Sequence, residues 1–175
     1  IRREHNIQSG LRFYLLTIYN NRFSLFHRDT FPIPLKFFDH AHTGAILAYN
    51  ILKDMDMDAA DRTEIMTAIG NHDEHTGTAV SDISAALILA DKSDAHRSRV
   101  SKKDRSLFDK HDEVNYAVTH SELKVDTEER KVVLNLKIDT KICPVIDYFE
   151  IFMERTKMSK RAAKYLGLWF ELIIN

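Results

Sequence analysis

Ala85-Ala86-Leu87-Ile88-Leu89-Ala90 runs without a polar residue straight into Asp91-Lys92-Ser93-Asp94. A helix apolar on nearly every side belongs in a core, and carboxylates are almost never fully buried unless paired or bound to a cation. The sequence therefore predicts a positive group beside Asp91. Imidazoles and more carboxylates lie upstream, in Asn71-His72-Asp73-Glu74-His75 and in Asp39-His40-Ala41-His42. A buried aspartate with several histidines near it in sequence is the raw material of a metal site.

With 175 residues, 44% of them hydrophobic, the chain has ample material for one domain, or one domain with a small appendage. Its 25 basic and 26 acidic residues leave a formal charge of −1, so charge alone does not favour nucleic acid as a partner. A single cysteine, Cys143, excludes an internal disulfide, fits a reducing compartment and reads as a small buried apolar residue. No apolar run approaches the roughly 18 residues of a membrane span. Ile1-Arg2-Arg3-Glu4-His5 is not followed by an apolar leader segment, so a cytoplasmic location and no membrane partner are expected. The absence of an initiator methionine is what a piece of something longer would show.

Three regions differ in texture. Residues 1–39 are aromatic-rich, with a helix expected from about Gln8 to Tyr19 and an irregular stretch around Pro32-Ile33-Pro34. Residues 43–120 read as consecutive helices packed as a bundle. Thr43 is the expected N-cap of the first, Asp58 or Asp61 of the second, and Gly70 ends that second helix. Ser81-Asp82 opens the Asp91 helix, and a further helix is expected from His111 to His120. From residue 121 the period changes to two: Leu123 and Val125, then Val132, Leu134, Leu136 and Ile138, mark strands joined by a turn at Thr127–Arg130. A helix from about Pro144 to Leu166, closed by Gly167, and a last strand over Leu168–Ile174 complete a β-β-α-β unit. Tyr148, Phe149, Phe152, Trp169 and Phe170 are expected to be core that joins this helix to its strands.

The order His40…Gly44-Ala45, Ile69-Gly70-Asn71-His72 and Ala90-Asp91-Lys92-Ser93-Asp94 resembles the later part of the HD-domain metal-dependent phosphohydrolases, over roughly residues 39–175. It looks most like small bacterial members whose helical core carries an α/β tail. The resemblance implies a mainly α fold: an HD-type helical bundle over residues 1–120 and a small C-terminal β-β-α-β subdomain over 121–175. It implies metal ligation by His40, His72 and Asp91, with Lys92 and Asp94 beside the site as catalytic groups. His40 and His42 compete for one role, and the spacing to Gly44 favours His40. The implied cofactor is a divalent ion (Mn, Fe, Mg or Zn), and the implied substrate a small phosphorylated molecule of nucleotide type.

The family's adjacent His-Asp pair precedes the His40 position. Here that stretch reads Phe26-His27-Arg28-Asp29-Thr30-Phe31-Pro32, in which His27 and Asp29 are not adjacent and no glycine follows. His5 is the candidate for the earlier lone histidine. His72-Asp73 follows an apolar helix as the true pair would, yet lies too close to Asp91 for that role. His111-Asp112 sits in a charged stretch and reads as a solvated helix start.

Imidazole and carboxylate together suit a borderline divalent ion that lowers the pKa of bound water toward ~7 and neutralises phosphoryl charge. Asp94 or Asp73 would take the nucleophile's proton, while Lys92, Arg97 and Arg99 would screen phosphate. The competing reading of Asp94 is a salt bridge to Arg97 or Arg99. The leading expectation is thus a metal-dependent phosphohydrolase acting on a phosphate ester or anhydride. The alternative, suggested by the altered His27/Asp29 stretch, is a catalytically impaired HD domain that binds a ligand or partner, as a ligand-binding or dimerisation module, without turning a substrate over. A third reading is a purely structural helical module that forms a homodimer through its α/β tail.

Overall fold

Small residues decide how the first two helices meet. Helix α1 (His40–Asp54) buries Ala41, Gly44, Ala45 and Leu52, spaced to lie on one side of the helix. Helix α2 (Ala59–Gly70) buries Asp61, Ile65, Ala68 and Ile69. Ala45, Leu52, Ile65, Ala68, Ile69 and Leu87 form one core, with Ala48, Met57, Met66 and Ile83 against it. The Arg62 guanidinium lies over the Tyr49 ring at 5.0 Å and ties the two helices at their flank.

The computed structural model describes residues 40–175. The expected helix over Gln8–Tyr19, the Pro32-Ile33-Pro34 break, His5, His27 and Asp29 all lie outside the described residues. The chain divides into two compact units between Leu87 and Ile88, within helix α3 (Asp82–Lys92). It is mainly helical: α4 (Lys110–Ala117) and α5 (Val145–Tyr165) follow, with short 3-10 turns at Arg97–Arg99 and Arg105–Leu107. The strands are β1 (Val118–Asp126), β2 (Lys131–Ile138) and β3 (Trp169–Ile174).

Capping chemistry explains the boundaries. Asp58, not Asp61, caps α2 by accepting the Ala60 amide at 2.8 Å. Thr43 is not a cap, because α1 already includes His40, and Thr43 lies inside it. Gly70 is the last residue of α2 rather than the residue beyond it. Asn71 closes the helix, its amide bonding to Ala68 and Ile69 and its side chain donating to the Thr67 carbonyl at 2.8 Å. Ser81 begins α3 by accepting the Ser84 amide at 3.1 Å.

The second unit, which also holds the end of α3 and α4, contains the expected β-β-α-β order, with sheet order β1-β2-β3. β1 and β2 are antiparallel, with Leu123 opposite Leu134, and β2 and β3 are parallel, with Leu134 opposite Leu172. The hairpin is an Asx turn: Asp126 Oδ1 accepts the amides of Glu128 at 3.0 Å and Glu129 at 2.9 Å, and Arg130 takes a left-handed φ of 51°. Gly167, at φ 71°, lets the chain reverse from α5 into β3. Tyr148 and Phe152 of α5 pack with Val114, Ala117, Val118, Leu134, Leu136, Ile138 and Cys143. Burial in that core pushes the Cys143 thiol pKa up.

Two expectations fail here. The helix expected to reach His120 stops at Ala117, because the β-branched pair Val118-Thr119 enters the sheet through a register shift before His120. Trp169 is not core: it is 78% exposed, on the alternating positions of β3 that also present Glu171 to solvent. His111 and Asp112 do lie at a helix start, where Asp109 and Asp112 form a capping box.

Candidate functional site

In the first unit, α1 and the end of α2 bring two histidines together. The rings of His40 and His72 meet edge to face, with centroids 5.2 Å apart and planes at 79°. His72 is 4% exposed, whereas the His40 side chain is 61% exposed, so one imidazole is fixed in the interior and the other opens to solvent. His72 Nδ1 lies 2.5 Å from the Ile69 carbonyl. A carbonyl only accepts, so Nδ1 carries a proton and donates to it. That bond fixes the orientation of the ring.

Asp73 stands beside the pair, its Oδ2 4.0 Å from His40 Nε2. Its other oxygen, Oδ1, accepts the amides of His75 at 2.9 Å and Thr76 at 3.3 Å. Partial burial works to raise the carboxyl pKa, but these amides and the nearby His40 and His75 outweigh it and hold the group below the ordinary range. The loop that carries it is tight: the Gly77 amide donates to the Asp73 carbonyl at 2.9 Å. A Cβ on Gly77 would stand 2.2 Å from the Asn71 carbonyl oxygen and 2.5 Å from that of Asp73. Glycine is therefore required by close backbone approach.

In the second unit, the positive group expected beside Asp91 is its own neighbour. Lys92 Nζ lies 2.7 Å from Asp91 Oδ2, and both side chains are largely withdrawn from water. Arg155, buried on α5, donates from Nη2 to the Asp91 main-chain carbonyl at 3.0 Å. Around it Ser93 Oγ donates to the Ala90 carbonyl at 2.8 Å, and Ser121 Oγ to the Ser93 carbonyl at 2.6 Å. The carbonyl end of α3 is thus covered by donors and one guanidinium, which suits the negative pole of the helix. Asp94, past the helix end, is ion-paired with Arg99.

The structure therefore brings His40, His72 and Asp73 together in one unit and joins Asp91 to Lys92 and Asp94 to Arg99 in the other. Among the described residues, no group of three or more histidine, cysteine, aspartate or glutamate side chains is arranged to hold a metal ion. Two contributors escaped sequence reasoning: the Ile69 carbonyl that orients His72, and Arg155. Arg155 did leave a signal, since it occupies the stripe Tyr148, Phe152, Arg155, Ser159, Ala162 that α5 buries. No helix of the described residues is long and apolar enough to cross a membrane.

Comparison with family models, with curated proteins and with solved structures gives no match for this chain.

Proposed function

We propose that the chain is a metal-dependent phosphohydrolase of HD type, acting on a small phosphorylated molecule of nucleotide class in the reducing setting of the cytoplasm. The observation that carries this reading is the His40–His72 pair beside Asp73. One imidazole is buried with its orientation set by a main-chain carbonyl, and a carboxylate kept ionised stands 4.0 Å from the other.

Two imidazoles and a carboxylate fit the donor preferences of a borderline divalent ion such as Mn, Fe or Zn better than those of Mg. His40 and His72 would hold it, and Asp91 is the carboxylate that the resemblance to the HD family implies for the same set. Bound there, the ion would supply Lewis-acid polarisation of a phosphoryl oxygen and a water of lowered pKa. The chain's own residues do the rest. Asp73 would be the proton acceptor near His40, and the amides that lower its pKa would make it a weak base. His72 cannot rotate without losing the bond to Ile69, so its ring keeps one orientation. Lys92 and Asp94 are the assisting groups of this reading, and each must exchange a present partner, Asp91 and Arg99 respectively, to meet a substrate.

Those two ion pairs favour a second reading, a catalytically impaired HD domain that binds a ligand or dimerises without turnover. Metal analysis separates the two. Elemental analysis of the wild type is expected to give near-stoichiometric transition metal, lost in His72→Ala and in Asp91→Ala, with hydrolysis of phosphorylated substrates following the metal. Metal without hydrolysis selects the impaired domain. No metal in any variant, even after manganese or iron is added, overturns the enzyme reading.

A further inference from the structure

Two arginines of the second unit converge on one aromatic ring. Arg97 Cζ lies 5.3 Å and Arg105 Cζ 4.9 Å from the centroid of Tyr116, whose edge is met by Phe108 at 5.4 Å. Local chemistry puts them there. Each arginine opens a 3-10 turn capped by the residue before it: His96 accepts the Ser98 amide at 3.2 Å, and Asp104 accepts the Ser106 amide at 2.9 Å. Tyr116 lies on α4, whose start is fixed by the Asp109–Asp112 capping box. Both guanidiniums are thus placed by backbone turns and not by carboxylates.

The surrounding acids are engaged elsewhere. Asp94 pairs with Arg99, and Lys102 takes Asp109 at 3.3 Å together with Asp112. Among the described residues neither Arg97 nor Arg105 forms an ion pair, while Arg97 Nε and Asn115 Oδ1 are buried without a hydrogen-bond partner. A ring face attracts each cation, yet two cations on one ring repel one another. Each of these two guanidiniums beside one ring lacks a carboxylate partner among the described residues and can grip an oxyanion through two N–H groups.

We propose that Arg97 and Arg105, set on Tyr116, bind the phosphoryl dianion of a small phosphorylated ligand. A polynucleotide is disfavoured because the chain carries a net charge of −1 and the clamp spans two side chains among interspersed acids. The inference stands on the second unit alone and requires no metal, so it can fail or hold independently of the hydrolase reading.

The test is calorimetric titration with inorganic phosphate and, separately, with a nucleoside monophosphate, in chelator and at matched ionic strength. Saturable binding is expected, weakened at least about tenfold in Arg97→Gln and in Arg105→Gln, the loss expected for a charge-assisted hydrogen bond. Lys103→Gln removes the same charge from the same segment and is expected to change affinity less than about twofold. Arg105 is exposed, so its variant keeps the test decisive should Arg97→Gln fail to fold. Tighter binding of the monophosphate identifies an organic ester as the ligand; equal affinities identify free phosphate. No binding to the wild type, an unaffected Arg105→Gln, or an equal loss in Lys103→Gln overturns the proposal.

Discussion

The α1–α2 pair and the sheet with α5 bury their interiors in opposite ways. In the first, small residues line the contact: Ala41, Gly44, Ala45 and Ala68 are buried there, and a Cβ built on Gly70 would meet that of Ala45 at 3.7 Å, ordinary contact distance. In the second, large side chains fill the space, with Tyr148, Leu134 and Leu136 all at most 2% exposed. The charged residues follow the same division. His72 and Asp73 are oriented by main-chain groups, the Ile69 carbonyl and the amides of His75 and Thr76. Asp91 and Asp94 are instead held by the opposite charges of Lys92 and Arg99. A side chain fixed by backbone keeps one orientation, whereas one fixed by an ion pair can exchange partners. Of the candidate ligands, His40 and His72 therefore lie in the first unit, while Asp91 lies in the second among groups that can exchange ion-pair partners.

If this contrast is right, the two cores respond to opposite substitutions. Leu134→Ala removes a side chain packed from all sides in the second unit and is expected to cost about 2–5 kcal/mol in urea denaturation. Ala68→Leu overfills the first unit, where Ala68 is 1% exposed against α1, at a cost of about 1–3 kcal/mol. A neutral Ala68→Leu would mean that the helix pair has slack and that the small-residue interface is not what sets it. A smaller effect belongs to Ser81→Ala, which removes the side-chain cap of α3 and should cost about 1 kcal/mol in the same assay.

Periodicity made most of the fold legible. The strands around Leu134, the α5 stripe and the turn at Gly167 follow from spacing and turn chemistry alone. Boundaries read less well wherever local signals competed. Thr43 has the chemistry of a cap, but the small residues Ala41, Gly44 and Ala45 carry the helix past it toward its N-terminus. Val118 continues the apolar pattern of α4, yet its β-branched side chain is better used in the sheet. The aromatic ring of Trp169 suggests core between helix and strands, while the strand's alternation, which sends it to the solvent face, is the stronger signal. Of the site, the sequence marked His40, His72 and Asp91 as residues of interest and foresaw a cation beside Asp91. It did not reveal that the cation is Lys92, because adjacent helical residues do not ordinarily face one another.

The finest discrimination between backbone-held and charge-held groups comes from acid titration of Asp73. Its folded-state pKa is depressed, so its contribution to stability is complete above the ordinary carboxylate range and disappears as pH falls through the lower folded value. Asp73→Asn removes the ionisable group while keeping an oxygen that can accept the amides of His75 and Thr76. At neutral pH the variant should melt slightly below the wild type, because the carboxylate accepts those amides more strongly and also faces His40. That gap should close as pH is lowered through the acidic range and vanish once Asp73 is protonated. Thermal melts of the two proteins at matched pH values read this directly. A gap that persists unchanged into acid would mean that shape alone, not charge, organises the loop beside His72.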